Sequence, residues 1–156
     1  MAGNAIVVGI GNPLRADDSV GLRVARTLKD RLEPSGITVV EASVSGMDLV
    51  EILIGYHRAM LIDAIQTENG VPGQVIRITP EALRTGRLSS ASHALDLTSA
   101  LELGRRLGLP LPNEVIIFAI EAADMESFAE ECTPDVARAV PVCAEMVVRE
   151  LGEEGV

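Results

Sequence analysis

The chain has 156 residues and a formal net charge of −10, with 47% hydrophobic and only 2% aromatic residues. That length suits one domain, taken as residues 1–156, with a real core, and is too short for two typical ones. The acidity repels a phosphate backbone along its whole length, and Tyr56, Phe118 and Phe128 are the only rings on which a base could stack, so nucleic acid is excluded as a partner.

The opening "MAGNAIVVGI" has no basic region ahead of its apolar run, and no run in the chain approaches a membrane span, so a soluble, cytoplasmic protein without a membrane partner is expected. Residues 5–9 (AIVVG) are short, apolar and β-branched, a first strand. The glycine-rich turn "GIGNPLRADDSVG" follows at 9–21 and closes on two adjacent aspartates. A phosphate cradle wants bare backbone N–H groups and no nearby anion, so the paired acids argue for a cation instead.

Residues 18–32 then place Val20, Val24, Leu28 and Leu32 at fourfold spacing, a helix, and residues 37–41 (ITVVE) form a second strand. A helix over 46–55 and a strand over 59–63 (AMLID), ending in Asp63, come next. The connection "AIQTENGVPG" is too short for a crossover helix, so the strand at 74–78 (QVIRI) is predicted to be an antiparallel edge. A helix at 93–107 carries Leu97, Leu101 and Leu107, a strand follows at 115–120 (VIIFAI), and a last helix spans 135–151 before a tail, "GEEGV", expected to fray. Strands alternating with helices make a three-layer α/β/α sandwich with a five-stranded, mostly parallel sheet. Its core is Val, Ile, Leu and Ala, the usual lining of a parallel sheet. Cys132 and Cys143 form no CxxC pair and are expected to be reduced, structural thiols.

In such a sheet the functional crevice lies beyond the carboxyl ends of the parallel strands. Asp17 and Asp18 follow the loop leaving the first strand, Asp63 closes the third, and His93 stands one turn before Leu97 in "LSSASHALDL". Each has a plainer reading. Either aspartate of the pair can serve a helix N-terminus, Asp63 can cap a turn, His93 can be a hydrogen-bonded histidine near a helix start, and His57 belongs to a solvated turn. Together, two carboxylates and one imidazole form an O,O,N donor set suited to zinc, nickel or a similar divalent ion, cadmium included in vitro. The rival is nucleotide binding: "GIGNPL" begins like GxGxxG, and Glu41 stands where a ribose-binding acid would. Against it, Leu14 takes the place of the final glycine and the loop to Asp18 delays the helix.

These segments resemble the hydrogenase maturation proteases, endopeptidases that trim the C-terminal tail of the nickel–iron hydrogenase large subunit. "GIGNPLRADDSVG" is similar to the family's opening signature, "SGMDLV" to its second glycine motif, and "LIDA" to its strand carrying a metal-ligand aspartate. "SHALDL" is similar to the segment with its ligand histidine, and "CTPDVARAV" to the Thr-Pro segment before the last helix. The resemblance runs nearly end to end and implies that Asp18, Asp63 and His93 are the metal ligands and catalytic groups, with Asp17 a neighbour. It further implies nickel as the ion, supplied by the substrate, and a hydrogenase large-subunit precursor as partner. A non-catalytic hydrogenase assembly factor is the other role the same motifs would serve. Ser19 stands where a glycine often follows the acidic pair, and "EASV" at 41–44 replaces an acid-Gly-Gly-Thr stretch, departures that bear on substrate preference.

Overall fold

Five apolar runs pair into one sheet in the order β2-β1-β3-β5-β4: β1 (Ala5–Ile10), β2 (Thr38–Ala42), β3 (Arg58–Ile65), β4 (Val75–Ile78) and β5 (Glu114–Glu121). The computed structural model describes the backbone of residues 4–84 and 92–155. Strands β2, β1, β3 and β5 are parallel, and β4 alone runs antiparallel against β5, as the short 64–73 connection requires. Among the described residues five α-helices flank the sheet: α1 (Val20–Leu32), α2 (Gly46–Leu53), α3 (Pro80–Arg84), α4 (Ser92–Arg106) and α5 (Pro134–Gly155).

Side chains alternate across each strand, which splits the core in two. Val7, Met60, Ile62 and Phe118 join residues of α1 and α5 on one face. Val8, Leu61, Ile65 and Ile117 join residues of α2, α3 and α4 on the other. Both faces are covered, so the central strands β1 and β3 are almost wholly apolar inside, Asp63 of β3 being the exception, and every residue of β1 is buried.

Helix α1 lies unusually close to the sheet. A Cβ on Gly21 would stand 2.3 Å from the Ile62 carbonyl oxygen and 2.4 Å from that of Ile10, and one on Gly9 would stand 2.1 Å from the Gly21 carbonyl oxygen. These glycines admit a helix onto two strand ends; they are not an anion cradle. No helix among the described residues is long and apolar enough to cross a membrane.

Several boundaries differ from the sequence reading. Strand β3 continues two residues past Asp63, because β5 is long enough to pair with it through Ile65↔Glu121. Residues Ala16–Ser19 form a 3₁₀ turn ahead of α1, closed by the Ser19 hydroxyl donating to the Ala16 carbonyl at 2.7 Å, so the predicted helix at 18–32 begins at Val20. The predicted helix at 46–55 stops at Leu53, since Ile54 is extended and Gly55 has φ +95°. The tail expected to fray continues α5 through Gly155, with Glu153 and Glu154 as good helix formers. Helix α3, five residues long, carries too little periodicity to predict.

Candidate active site

Two adjacent aspartates at the exit of β1 do different work. The Asp17 side chain is fully buried: its Oδ2 accepts the N–H groups of Ala123 and Asp124, both at 2.9 Å, and the Thr133 hydroxyl at 2.8 Å. Its Oδ1 accepts the Thr133 N–H at 2.7 Å. The Asp17 N–H in turn donates to the Asp124 carbonyl at 2.8 Å, and that of Ala16 to Ala129 at 2.9 Å. Asp17 thus clamps the glycine-rich loop onto the segment between β5 and α5, and neither a helix-end charge nor a metal ligand describes it.

Asp18 is held from the other side. Its N–H donates to the Arg15 carbonyl at 2.8 Å and its carbonyl accepts the Asn12 N–H at 3.2 Å. A Cβ on Gly11 would stand 2.0 Å from that same carbonyl oxygen, so the second glycine of the motif lets the turn fold back on Asp18. The residue is 6% exposed. Asp63 is fully buried within β3, its Oδ1 accepting the Ala64 N–H at 2.9 Å.

Strands β1 and β3 are parallel neighbours, the 3₁₀ turn carrying Asp18 packs against β3, and Gly21 sits on the carbonyls of Ile10 and Ile62. Asp18 and Asp63 therefore share the carboxyl edge of the sheet. By strand alternation Asp63 lies on the face of Leu61 and Ile65, the one covered by α2 and α4. His93 belongs to the first turn of α4, and its side chain lies outside the described residues. Helix α4 leads through residues 107–113 into the start of β5, so its first turn points back toward the carboxyl edge. Leu97, one turn on from His93, is buried in the same cluster as Ile10 and Ile65, which end β1 and β3. Among the described residues no three ligating side chains gather into a metal site. The pair they do bring to one edge is Asp18 and Asp63, two hard oxygen donors where a cation is attracted more strongly than in water.

The remaining candidates fall elsewhere. His57 is exposed at the start of β3, the opposite edge, its N–H donating to Asn4 at 3.0 Å. The Glu41 carboxylate takes two bonds from Arg26, at 2.7 and 3.4 Å, and so is engaged where a ribose acid would be needed. Cys132 and Cys143 form no disulfide. Burial pushes both thiols up, Cys143 to about 12. The Asp17–Thr133 clamp went unpredicted; its one sequence signal is the Thr-Pro pair opening α5.

The family model described as hydrogenase maturation protease matches residues 22–150. The chain is 26% identical over 155 residues to the hydrogenase 2 maturation protease of Escherichia coli, covering 97% of this chain and 92% of that protein. It is 25% identical to the hydrogenase expression/formation protein HupD of Bradyrhizobium diazoefficiens, covering 97% and 79%. Its fold is similar to that of the hydrogenase maturating endopeptidase HybD from Escherichia coli, with a TM-score of 0.81, 24% identity and coverage of 97% and 94%.

Proposed function

The chain belongs to the hydrogenase maturation protease family, and from that premise we propose that it is the endopeptidase that removes the C-terminal extension of a nickel-loaded nickel–iron hydrogenase large-subunit precursor. What supports this reading is that two buried carboxylates, Asp18 and Asp63, stand at the carboxyl edge of the sheet, and that the backbone of the first turn of α4, which includes residue His93, begins toward the same edge. Two carboxylates and an imidazole suit nickel, zinc or cadmium equally in ligand type.

The nickel is part of the substrate. It arrives in the precursor and gives the protease something to recognise that an unfinished subunit lacks. Asp18 and Asp63 supply negative charge to that ion, and His93 supplies a neutral nitrogen. Hydrolysis adds water to the scissile carbonyl and breaks the C–N bond, and a carboxylate at this edge takes the proton from the attacking water and returns it to the leaving amine. The Asp17 clamp and the Gly11 turn hold Asp18 from two sides, so its position is set before substrate arrives.

The test is the mass of a large-subunit precursor after incubation with the protein, nickel-loaded or nickel-free. One cut just after the C-terminal cysteine-containing metal motif, in the loaded form only, is expected. Equal cleavage of the nickel-free form contradicts recognition through nickel. Binding of the loaded precursor without cleavage favours a non-catalytic assembly factor.

A further inference from the structure

One of the chain's two phenylalanines, Phe118, is 1% exposed in the core, whereas the other, Phe128, is 81% exposed beside the Asp18 loop. It is not a loose end. The Ala129 N–H donates to the Leu14 carbonyl at 3.0 Å, the Ala129 carbonyl accepts the Ala16 N–H at 2.9 Å, and the Arg15 guanidinium lies 5.2 Å from the Phe128 ring centroid. Leu14, 55% exposed, joins Phe128 in lining a groove of about 330 Å³. Water thus meets an apolar pair that the backbone holds in place, Leu14 standing four residues before the candidate catalytic Asp18.

A second groove, of about 390 Å³, begins at Leu14 and reaches Ser19 and Arg23, and Arg23 also lines a cleft of about 570 Å³ bounded by Cys132 and Val140. The half-buried Arg23 donates through Nε to the Ser19 hydroxyl at 3.2 Å, and among the described residues it forms no ion pair. With 23 acidic residues against 13 basic ones, this is no shortage of carboxylates. Arg23 shares these grooves with Arg26, Glu130 and Glu131, and its guanidinium, which carries no ion pair among the described residues, keeps N–H donors complementary to an acid on a partner.

The geometry points to the strip from Phe128 and Leu14 to Arg23 as the docking surface for the precursor, an inference that rests on the proposed function. An endopeptidase must hold several residues beside the scissile bond, and this strip takes in Leu14 and Ser19, which flank Asp18 in the chain. The occupant is an extended segment of the precursor's C-terminal region, which lays an apolar side chain against Leu14 and Phe128 and sets a carboxylate against Arg23.

The experiment measures KM and kcat for the nickel-loaded precursor, and its Kd by surface plasmon resonance, for the parent, Phe128→Ser, Arg23→Glu, Arg23→Lys and Leu107→Ser. Leu107 is 65% exposed but lies past the end of α4, at the opposite edge, and serves as the control. Phe128→Ser and Arg23→Glu are each expected to raise KM and Kd roughly tenfold with kcat nearly unchanged, as loss of an interface anchor does. Arg23→Lys should stay closer to the parent, and Leu107→Ser should match it. Phe128 is outside the core, so its variant folds even if a charge reversal at Arg23 does not. Parental KM and Kd in Phe128→Ser and in folded Arg23 variants overturn the docking surface while leaving the protease reading intact. A parent that binds but does not cut defeats the protease reading alone, and the Kd series still decides the docking surface. A parent that does not bind the precursor defeats both.

Discussion

Replacing Asp17 with Asn keeps the side chain's shape and removes its charge, which isolates what the clamp contributes. The carboxylate takes three backbone N–H groups and one hydroxyl, at 2.7 to 2.9 Å, in a fully buried position. An amide has one acceptor oxygen. Its better orientation leaves that oxygen on the Ala123 and Asp124 N–H groups and turns the NH2 toward the Thr133 N–H, donor against donor. A buried N–H without an acceptor costs roughly 1–3 kcal/mol, and the surviving bonds fall from charge-assisted to neutral strength, so the total is about 3–5 kcal/mol. That is a large part of the roughly 5–15 kcal/mol that stabilises a domain of this kind. Thr133→Val removes the hydroxyl and leaves the backbone bond, at about 1 kcal/mol. Urea unfolding followed by circular dichroism, with slopes compared before stabilities are, reads both values. An Asp17→Asn variant within about 0.5 kcal/mol of the parent, or a Thr133→Val loss that exceeds it, would refute the clamp.

Gly21→Ala should cost about 1–3 kcal/mol, because a methyl 2.3 Å from the Ile62 carbonyl oxygen forces α1 off the sheet; cleavage should fall with it, and an unchanged melting temperature would deny the close approach. Thiol labelling with a disulfide reagent at about pH 8 should be slow at Cys132 and absent at Cys143 until unfolding, since burial pushes the latter up to about 12, and rapid labelling of Cys143 would contradict its burial. Arg77, at 2.6 and 3.1 Å, holds the Glu150 carboxyl below the usual carboxylate range. A carboxyl lowered on folding stabilises above its unfolded pKa and ceases to do so as the pH falls through the folded value. Glu150→Gln should therefore cost about 1 kcal/mol near neutral pH, and the difference should shrink below about pH 4; a pH-independent difference would rule out the charge as its source.

The sheet was readable because its strands are buried on both faces. Runs such as AIVVG and VIIFAI are apolar without a break for that reason, and the antiparallel edge at β4 followed from a connector too short to cross over. That Asp18 and Asp63 come to one edge of the sheet was readable from topology, since Asp18 follows β1 and Asp63 stands near the end of its parallel neighbour β3. The resemblance set Asp17 apart as a neighbour of Asp18, but the clamp that Asp17 forms was not readable. It depends on Ala123, Asp124 and Thr133, more than 100 residues away, and no local pattern says which of two adjacent carboxylates turns toward them. The placement of Asp63 inside β3 was likewise set by the length of the partner strand, which local alternation does not report.

The central claim is that Asp18 and Asp63, with His93, act on the precursor, and the mass of nickel-loaded precursor incubated with each variant tests it most directly. Asp18→Asn, Asp63→Asn and His93→Ala should each leave the C-terminal extension in place, with the fold checked by circular dichroism, while His57→Ala, altered at the opposite edge of the sheet, should remove it at the parental rate. Removal of the extension at the parental rate by Asp18→Asn and Asp63→Asn would contradict the account.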